Sequence, residues 1–145
     1  MIRLLVLLNL VLVAISCTPA ASTEMISPRH DPAKVLGRTW LWEATVTPVE
    51  RIVVAHPELY TINLGDNGRL QAQFDCNRGG GTYTLSAGQI SFGSLISTRK
   101  ACPEYSQDAA FMRDLQRVQS FFLQDGQLFL ELPMDSGTMR FSENP

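Results

Sequence analysis

Histidine is almost missing from this chain, with two in 145 residues. His30 and His56 lie in a polar N-terminal stretch and in a loop, and neither sits in a motif. There are three cysteines and no CxxC pair. Zinc sites need cysteine and histidine ligands at short spacings, so a zinc centre is poorly supported, and no cofactor is implied. The same scarcity weighs against a thiol enzyme, which needs a neighbouring base to form its thiolate. A basic surplus is lacking too: 12 Lys and Arg stand against 14 Asp and Glu, a net charge of −2. With no basic stripe, nucleic-acid binding is not expected. No apolar run reaches the roughly 20 residues of a membrane-spanning helix. Leu4 to Val13 is about half that and is broken by Asn9.

What the N-terminus does contain is a signal layout. Arg3 precedes the apolar run, and small residues follow it. The end, Ala14-Ile15-Ser16-Cys17, resembles a bacterial lipoprotein signal. That resemblance implies removal of residues 1–16 and a lipid on Cys17; the alternative is an ordinary cleaved signal with Cys17 incidental. More than one acyl chain gives stable anchoring at ~0.8 kcal/mol per buried CH₂. Thr18 after the cysteine fits sorting to the outer membrane. Losing Arg3 leaves 11 basic against 14 acidic side chains, a net of −3. Residues 17–33, the lipidated cysteine and a Pro-, Ser-, Thr- and Ala-rich stretch, read as a tether. Residues 34–145 suit one small, monomeric domain.

Within that domain, period-two alternation dominates. Trp40, Trp42, Ala44 and Val46 share a face, as do Tyr60, Ile62 and Leu64, and then Leu70, Ala72, Phe74 and Cys76. Tyr83, Leu85, Ile90 and Phe92 continue the inward set. Gly65-Asp66-Asn67-Gly68 and Asp125-Gly126 are strong turn signals. The pattern gives seven or eight short antiparallel strands. One helix, over about 104–118, interrupts them, with Phe111, Leu115 and Val118 at i, i+4, i+7. Pro103 suits its start, Glu104 and Asp108 its N-terminal end, and Arg113 and Arg117 its C-terminal end. The expected fold class is therefore α+β: a curved antiparallel sheet packed on one helix, whose stripe only the sheet can cover. On that view Leu115→Ala costs about 2–5 kcal/mol, and Arg113→Ala on the far side stays within ~0.5.

The stretch AQFDCNRGGGTYTL, residues 72–85, admits two readings. One is a reactive thiol, Cys76, before an anion-binding glycine loop. A phosphate loop, however, leads from a strand into a helix N-terminus, and Gly79-Gly80-Gly81 lead into a strand-like Thr82-Tyr83-Thr84-Leu85. The other reading is a hairpin with the glycines at its bend. If Cys17 is acylated and the chain exported, Cys76 and Cys102 are expected to pair. They are 26 positions apart, and closing such a loop stabilises by roughly 3–4 kcal/mol in the chain-entropy view.

In order along the chain, LGRTWLW (36–42), DCNRGGGTY (75–83), SFGSLISTRKACP (91–103), FMRDLQRV (111–118) and GQLFLEL…GTMRF resemble the META domain, the HslJ-like family of small exported bacterial proteins and lipoproteins. Cys-Asn-Arg with a later Ser-Thr-Arg-x-x-Cys is the most specific element. The family usually has glycine before the first cysteine, where this chain has Asp75. The resemblance implies a curved antiparallel sheet on one helix, links some members to heat or envelope stress, and likens the fold to lipid-binding pilot lipoproteins. It supplies no catalytic residue.

Two function classes follow. One is a non-enzymatic, lipid-anchored envelope protein, with its domain in the periplasm, that binds a protein partner or serves under stress. The other carries a lipid or other apolar ligand between helix and sheet; a thiol enzyme using Cys76 is a remote third. Asn77, Arg78 and Arg99 form the candidate binding surface, although solvated arginines or local ion pairs are the plainer reading. Val53 and Val54, with Val49 and Ile52, form an apolar cluster outside the regular alternation.

Overall fold

The computed structural model describes residues 28–145. The signal segment, Cys17 and most of the tether therefore lie outside the described residues. Among the described residues ten strands and one α-helix follow one another: β1 Thr39–Val46, β2 Arg51–Val53, β3 Tyr60–Leu64, β4 Arg69–Phe74, β5 Asn77–Ser86, β6 Gln89–Phe92, β7 Ile96–Ser97, α1 Asp108–Leu115, β8 Ser120–Gln124, β9 Gln127–Glu131 and β10 Thr138–Glu143. Alternation makes the strands. In β3 and β4, Tyr60, Ile62, Leu64, Leu70, Ala72 and Phe74 are buried while their neighbours face outward. Asp125 and Gly126, at φ 52° and 76°, make the two-residue turn from β8 to β9. Positive φ at both central positions matches the twist of the flanking strands.

The sheet is not the open, curved one expected from the sequence. β1 pairs with β10 from Trp40↔Glu143 to Val46↔Thr138, and this closes the order β1-β3-β4-β5-β6-β8-β9-β10 into an eight-stranded antiparallel barrel. The short strands β2 and β7 flank β1 and β5. Closure leaves no free sheet face for a helix to cover, so the α+β reading of a sheet on a helix is overturned. The fold is mostly β. An eight-stranded barrel is just wide enough for side chains to fill. Here Trp40, Trp42, Ile62, Leu64, Phe74, Ile90, Phe121, Leu128, Leu130, Met139 and Phe141 form one buried cluster.

The helix has a narrower task. It spans eight residues because Pro103–Gln107 is a turn, in which the Ser106 N–H donates to Pro103 O and the Gln107 N–H to the Tyr60 hydroxyl. It sits where β3 begins and β4 ends and inserts one ring. Phe111 stacks on Trp42 at 4.8 Å between centroids and meets Tyr60, Phe74 and Phe141 at 5.7–6.1 Å. Leu115 is buried beside it, and Val118 is buried in the turn after the helix. Arg113 is not isolated on the far side. Its Nε donates to Oδ1 of Asp114 at 2.9 Å, and Asp114 is only 1% exposed. That hydrogen bond, then the carboxylate charge, raises the Arg113 pKa.

One register shift changes a face. A bulge between Trp42 and Ala44 turns Thr45 inward, where its Oγ1 accepts from Trp42 Nε1, and Val46 outward to 45% exposure. Simple alternation had placed Val46 inside. Pro28–His30 and Pro32–Lys34, the end of the stretch read as a tether, are 3₁₀ turns. His30 sits edge-on to Phe121, and the Arg29 guanidinium lies 5.1 Å over the Phe122 ring.

Candidate functional site

The stretch 72–85 is a hairpin, but its bend is not at the glycines. Phe74 pairs with Asn77, so Asp75 and Cys76 are the whole turn. Asp75 takes φ 56°, the left-handed region that favours glycine. The two-residue turn also ends the inward row at Phe74, leaving Cys76 half-buried. Gly79-Gly80-Gly81 lie inside β5, between β4 on one side and β7 on the other. They are needed for space. A Cβ on Gly79 would stand 1.9 Å from Ile96 O, and one on Gly80 2.0 Å from Leu70 O.

Because β7 approaches so closely, the loop after it is brought onto the turn. Cys76 and Cys102 form a disulfide with Cα atoms 5.5 Å apart. Beneath it Asn77, 5% exposed, is spent on that loop and on the two sulfurs. Its Oδ1 accepts from Thr98 Oγ1 and from the Lys100 N–H, each at 2.8 Å. Its Nδ2 donates to Lys100 O at 3.1 Å and reaches Cys102 Sγ at 3.2 Å. Asn77 is thus a structural clamp with no side-chain atom left for a ligand. Sulfur in the disulfide is likewise no nucleophile.

Two cavities open on either side of this staple. On one side is an open groove of about 430 Å³ between the 97–101 loop and α1, with Thr98, Arg99, Lys100, Asp108 and Met112 among its walls. Arg99 and Lys100 are exposed on it, and Arg78 is exposed nearby, its backbone N–H donating to Thr98 Oγ1. None of the three makes an ion pair among the described residues. On the other side is a smaller cavity of about 150 Å³ lined by Val53, Ala55, His56, Leu59, Tyr60, Asp75, Tyr105 and Gln107. Asp75 is 8% exposed, and its Oδ2 accepts from the Tyr60 hydroxyl at 3.2 Å.

The residues singled out from sequence are therefore divided. Arg99 lines the groove and Arg78 is exposed near it, Val53 is 59% exposed at the rim of the smaller cavity, and Val54 is 6% exposed in the core. Asp75, Tyr60 and Lys100 were not singled out. Alternation assigns Asp75 to the solvent face, and only the turn at Asp75-Cys76 rotates it inward. Its place where glycine is usual in the resembling family was the available signal.

No curated protein matches the chain. Solved structures do share its fold. A protein from Burkholderia xenovorans, solved by NMR, superposes with a TM-score of 0.66 at 23% identity, covering 90% of this chain and 99% of that one. A second NMR structure gives 0.58 at 20% identity over 77% and 93% of the two chains. A crystal structure of a DUF4847 family protein from Bacteroides vulgatus gives 0.54 at 12% identity over 76% and 94%. At such identities these likenesses speak for the fold alone. The META domain family model matches residues 33–145, the whole barrel with its stapled hairpin and plugging helix, and the chain belongs to that family.

Proposed function

We propose that this is a non-enzymatic bacterial envelope protein, lipid-anchored through Cys17 with its barrel in the periplasm, which binds an acidic segment of a partner protein at the groove beside the staple. The observation that carries the reading is the set Arg78, Arg99 and Lys100, exposed and without ion pairs among the described residues. The whole chain has a net charge of −2, yet at the groove these three cations outnumber the one carboxylate on its wall, Asp108. Exposed charges of one sign steer an oppositely charged partner and set its on-rate. A disulfide and the Asn77 clamp hold the loop that carries two of them, and a surface fixed in advance loses less entropy on binding. Met112, half-buried, adds an apolar wall to the groove. The carrier reading has less support, because the barrel interior is filled by its own aromatic and aliphatic side chains.

The test is a photo-crosslinking residue at Ala101, an exposed position on the groove, in the full-length chain in native membranes. Discrete protein adducts are expected, falling with salt and lost when Arg99→Glu and Lys100→Glu are combined. Adducts indifferent to the charge reversal refute the groove. Stoichiometric acyl chains extracted from the Cys17→Ser protein would instead favour the carrier. Release of that variant from the membrane fraction tests the anchor separately.

A further inference from the structure

The second cavity carries a separate inference, independent of the groove. We propose that the Asp75 cavity is a binding site for a primary alkylammonium group, of the kind a lysine side chain or a free alkylamine presents. Asp75 is 92% buried by its 8% exposure, yet no Lys, Arg or His lies in ion-pair range of it among the described residues. A buried carboxylate without a cation is costly, and such groups are normally paired. Its two oxygens differ. Oδ2 accepts from Tyr60 Oη, which in turn accepts from the Gln107 N–H at 2.9 Å. Oδ1 has no hydrogen bond among the described residues. Unlike Oδ2 of Asp114, it is not sealed from solvent, and Asp75 is one of the residues that line the cavity.

The walls select the ligand class. Val53, Ala55 and Leu59 offer apolar surface for a short methylene stem, and Tyr60 and Tyr105 bring aromatic rings that favour a cation. A guanidinium binds best as a planar fork on both carboxylate oxygens. Oδ2 is already engaged, so the free position suits the compact, three-donor ammonium. A divalent metal wants several oxygen or nitrogen ligands, and no group of three His, Cys, Asp or Glu among the described residues could hold one. His56, the imidazole on the wall, lies against Glu58, with 3.2 Å between Nδ1 and Oε1.

The experiment titrates the full-length chain in mild detergent with n-butylammonium, Nα-acetyl-lysine amide, Nα-acetyl-arginine amide and n-butanol. Backbone amide shifts of Asp75, Tyr105 and Gln107 report binding. Saturable shifts are expected from the two ammonium probes, with the arginine derivative at least ten-fold weaker and butanol inert. Asp75→Asn keeps a residue that tolerates the left-handed turn and should weaken ammonium binding at least ten-fold. Tyr105→Ala, at a side chain 80% exposed and thus dispensable for folding, should weaken it several-fold. Tighter binding of the lysine derivative than of butylammonium assigns a protein lysine as the natural source; the reverse assigns a free amine. Failure of both ammonium probes to bind overturns the site, as does equal binding of the arginine derivative or undiminished binding by Asp75→Asn. Loss of the groove's crosslinks would leave this result untouched.

Discussion

Replacing Gly80 by alanine tests the hairpin more sharply than any change at its cysteines. Glycine to alanine in an exposed strand with ordinary φ normally stabilises by about 0.4–1 kcal/mol, because the unfolded chain loses freedom. Here the added Cβ would stand 2.0 Å from Leu70 O and 3.1 Å from Leu70 C, where ordinary contact begins at 3.4 Å. Both strands belong to the closed wall, held by Gln71↔Gly80 and its neighbours, so neither can retreat without breaking pairs. Overpacking costs about 1–3 kcal/mol, and two lost hydrogen bonds add about 1–3 more. The expected net loss is about 1–5 kcal/mol once the unfolded-state gain is subtracted. Gly79→Ala should cost less, since its clash is with Ile96 O on β7, a strand of two residues that can peel away. Gly126→Ala is the control: nothing lies within 4 Å, and only its φ of 76° resists, at about 1–2 kcal/mol. Urea unfolding followed by tryptophan emission is a direct assay, because Trp40 and Trp42 are 1% and 0% exposed. A Gly80→Ala midpoint equal to wild type, or below the cost of Gly126→Ala, would refute the close-approach account.

Three further expectations are open to the same assay. Arg113→Ala should cost about 1–3 kcal/mol, since it leaves both oxygens of buried Asp114 without a partner; Oδ2 already has none. Because Arg113 is 57% exposed, the loss should fall below the value for a fully buried pair. A change within ~0.5 kcal/mol would restore the simpler view from the helical wheel. Asn77→Ala and removal of the disulfide each free the same loop, so together they should cost less than the sum of the single losses. Strict additivity would mean that the clamp and the bond act on different structures. Tyr83, whose hydroxyl donates to Gly65 O, has its pKa raised above 10.0 by burial and by Asp66. A folded value above the unfolded one means stability present below pH 10 and lost as pH climbs through the folded value. Urea midpoints should therefore fall in strong alkali for wild type and fall less for Tyr83→Phe.

How far the sequence reveals this molecule depends on the range of the interaction. Strands β3, β4 and β9 are written locally, as alternating residues between turn signals, and so is the stripe of Phe111 and Leu115. Closure is not local. That Trp40 meets Glu143 depends on a pairing across nearly the whole domain, and no residue near either position announces it. The bulge at Trp42/Ala44 is hidden for the same reason: it adjusts β1 to β10, and a one-residue shift exchanges the faces of Thr45 and Val46. The glycine triplet misleads because composition does not tell a glycine chosen for its φ from one chosen for lack of a side chain. At the site, Arg78, Arg99 and the cysteines are legible as residue types. The inward turn of Asp75 is not, since it rests on a turn shorter than the glycines suggest.

Pairing β1 with β10 has a consequence in time. The barrel's first strand waits for the last of the described strands, Thr138–Glu143, so closure cannot precede the emergence of nearly all of the domain. Contacts so far apart in sequence are slow to form, on the scale of milliseconds to seconds for comparable β topologies. Until then β1 and β9 each hold an unmatched row of amides and carbonyls, the kind of edge that recruits other chains. A chain shortened by its final eight residues would keep that condition permanently, and its fate would be set by aggregation before any question of ligand or partner arose.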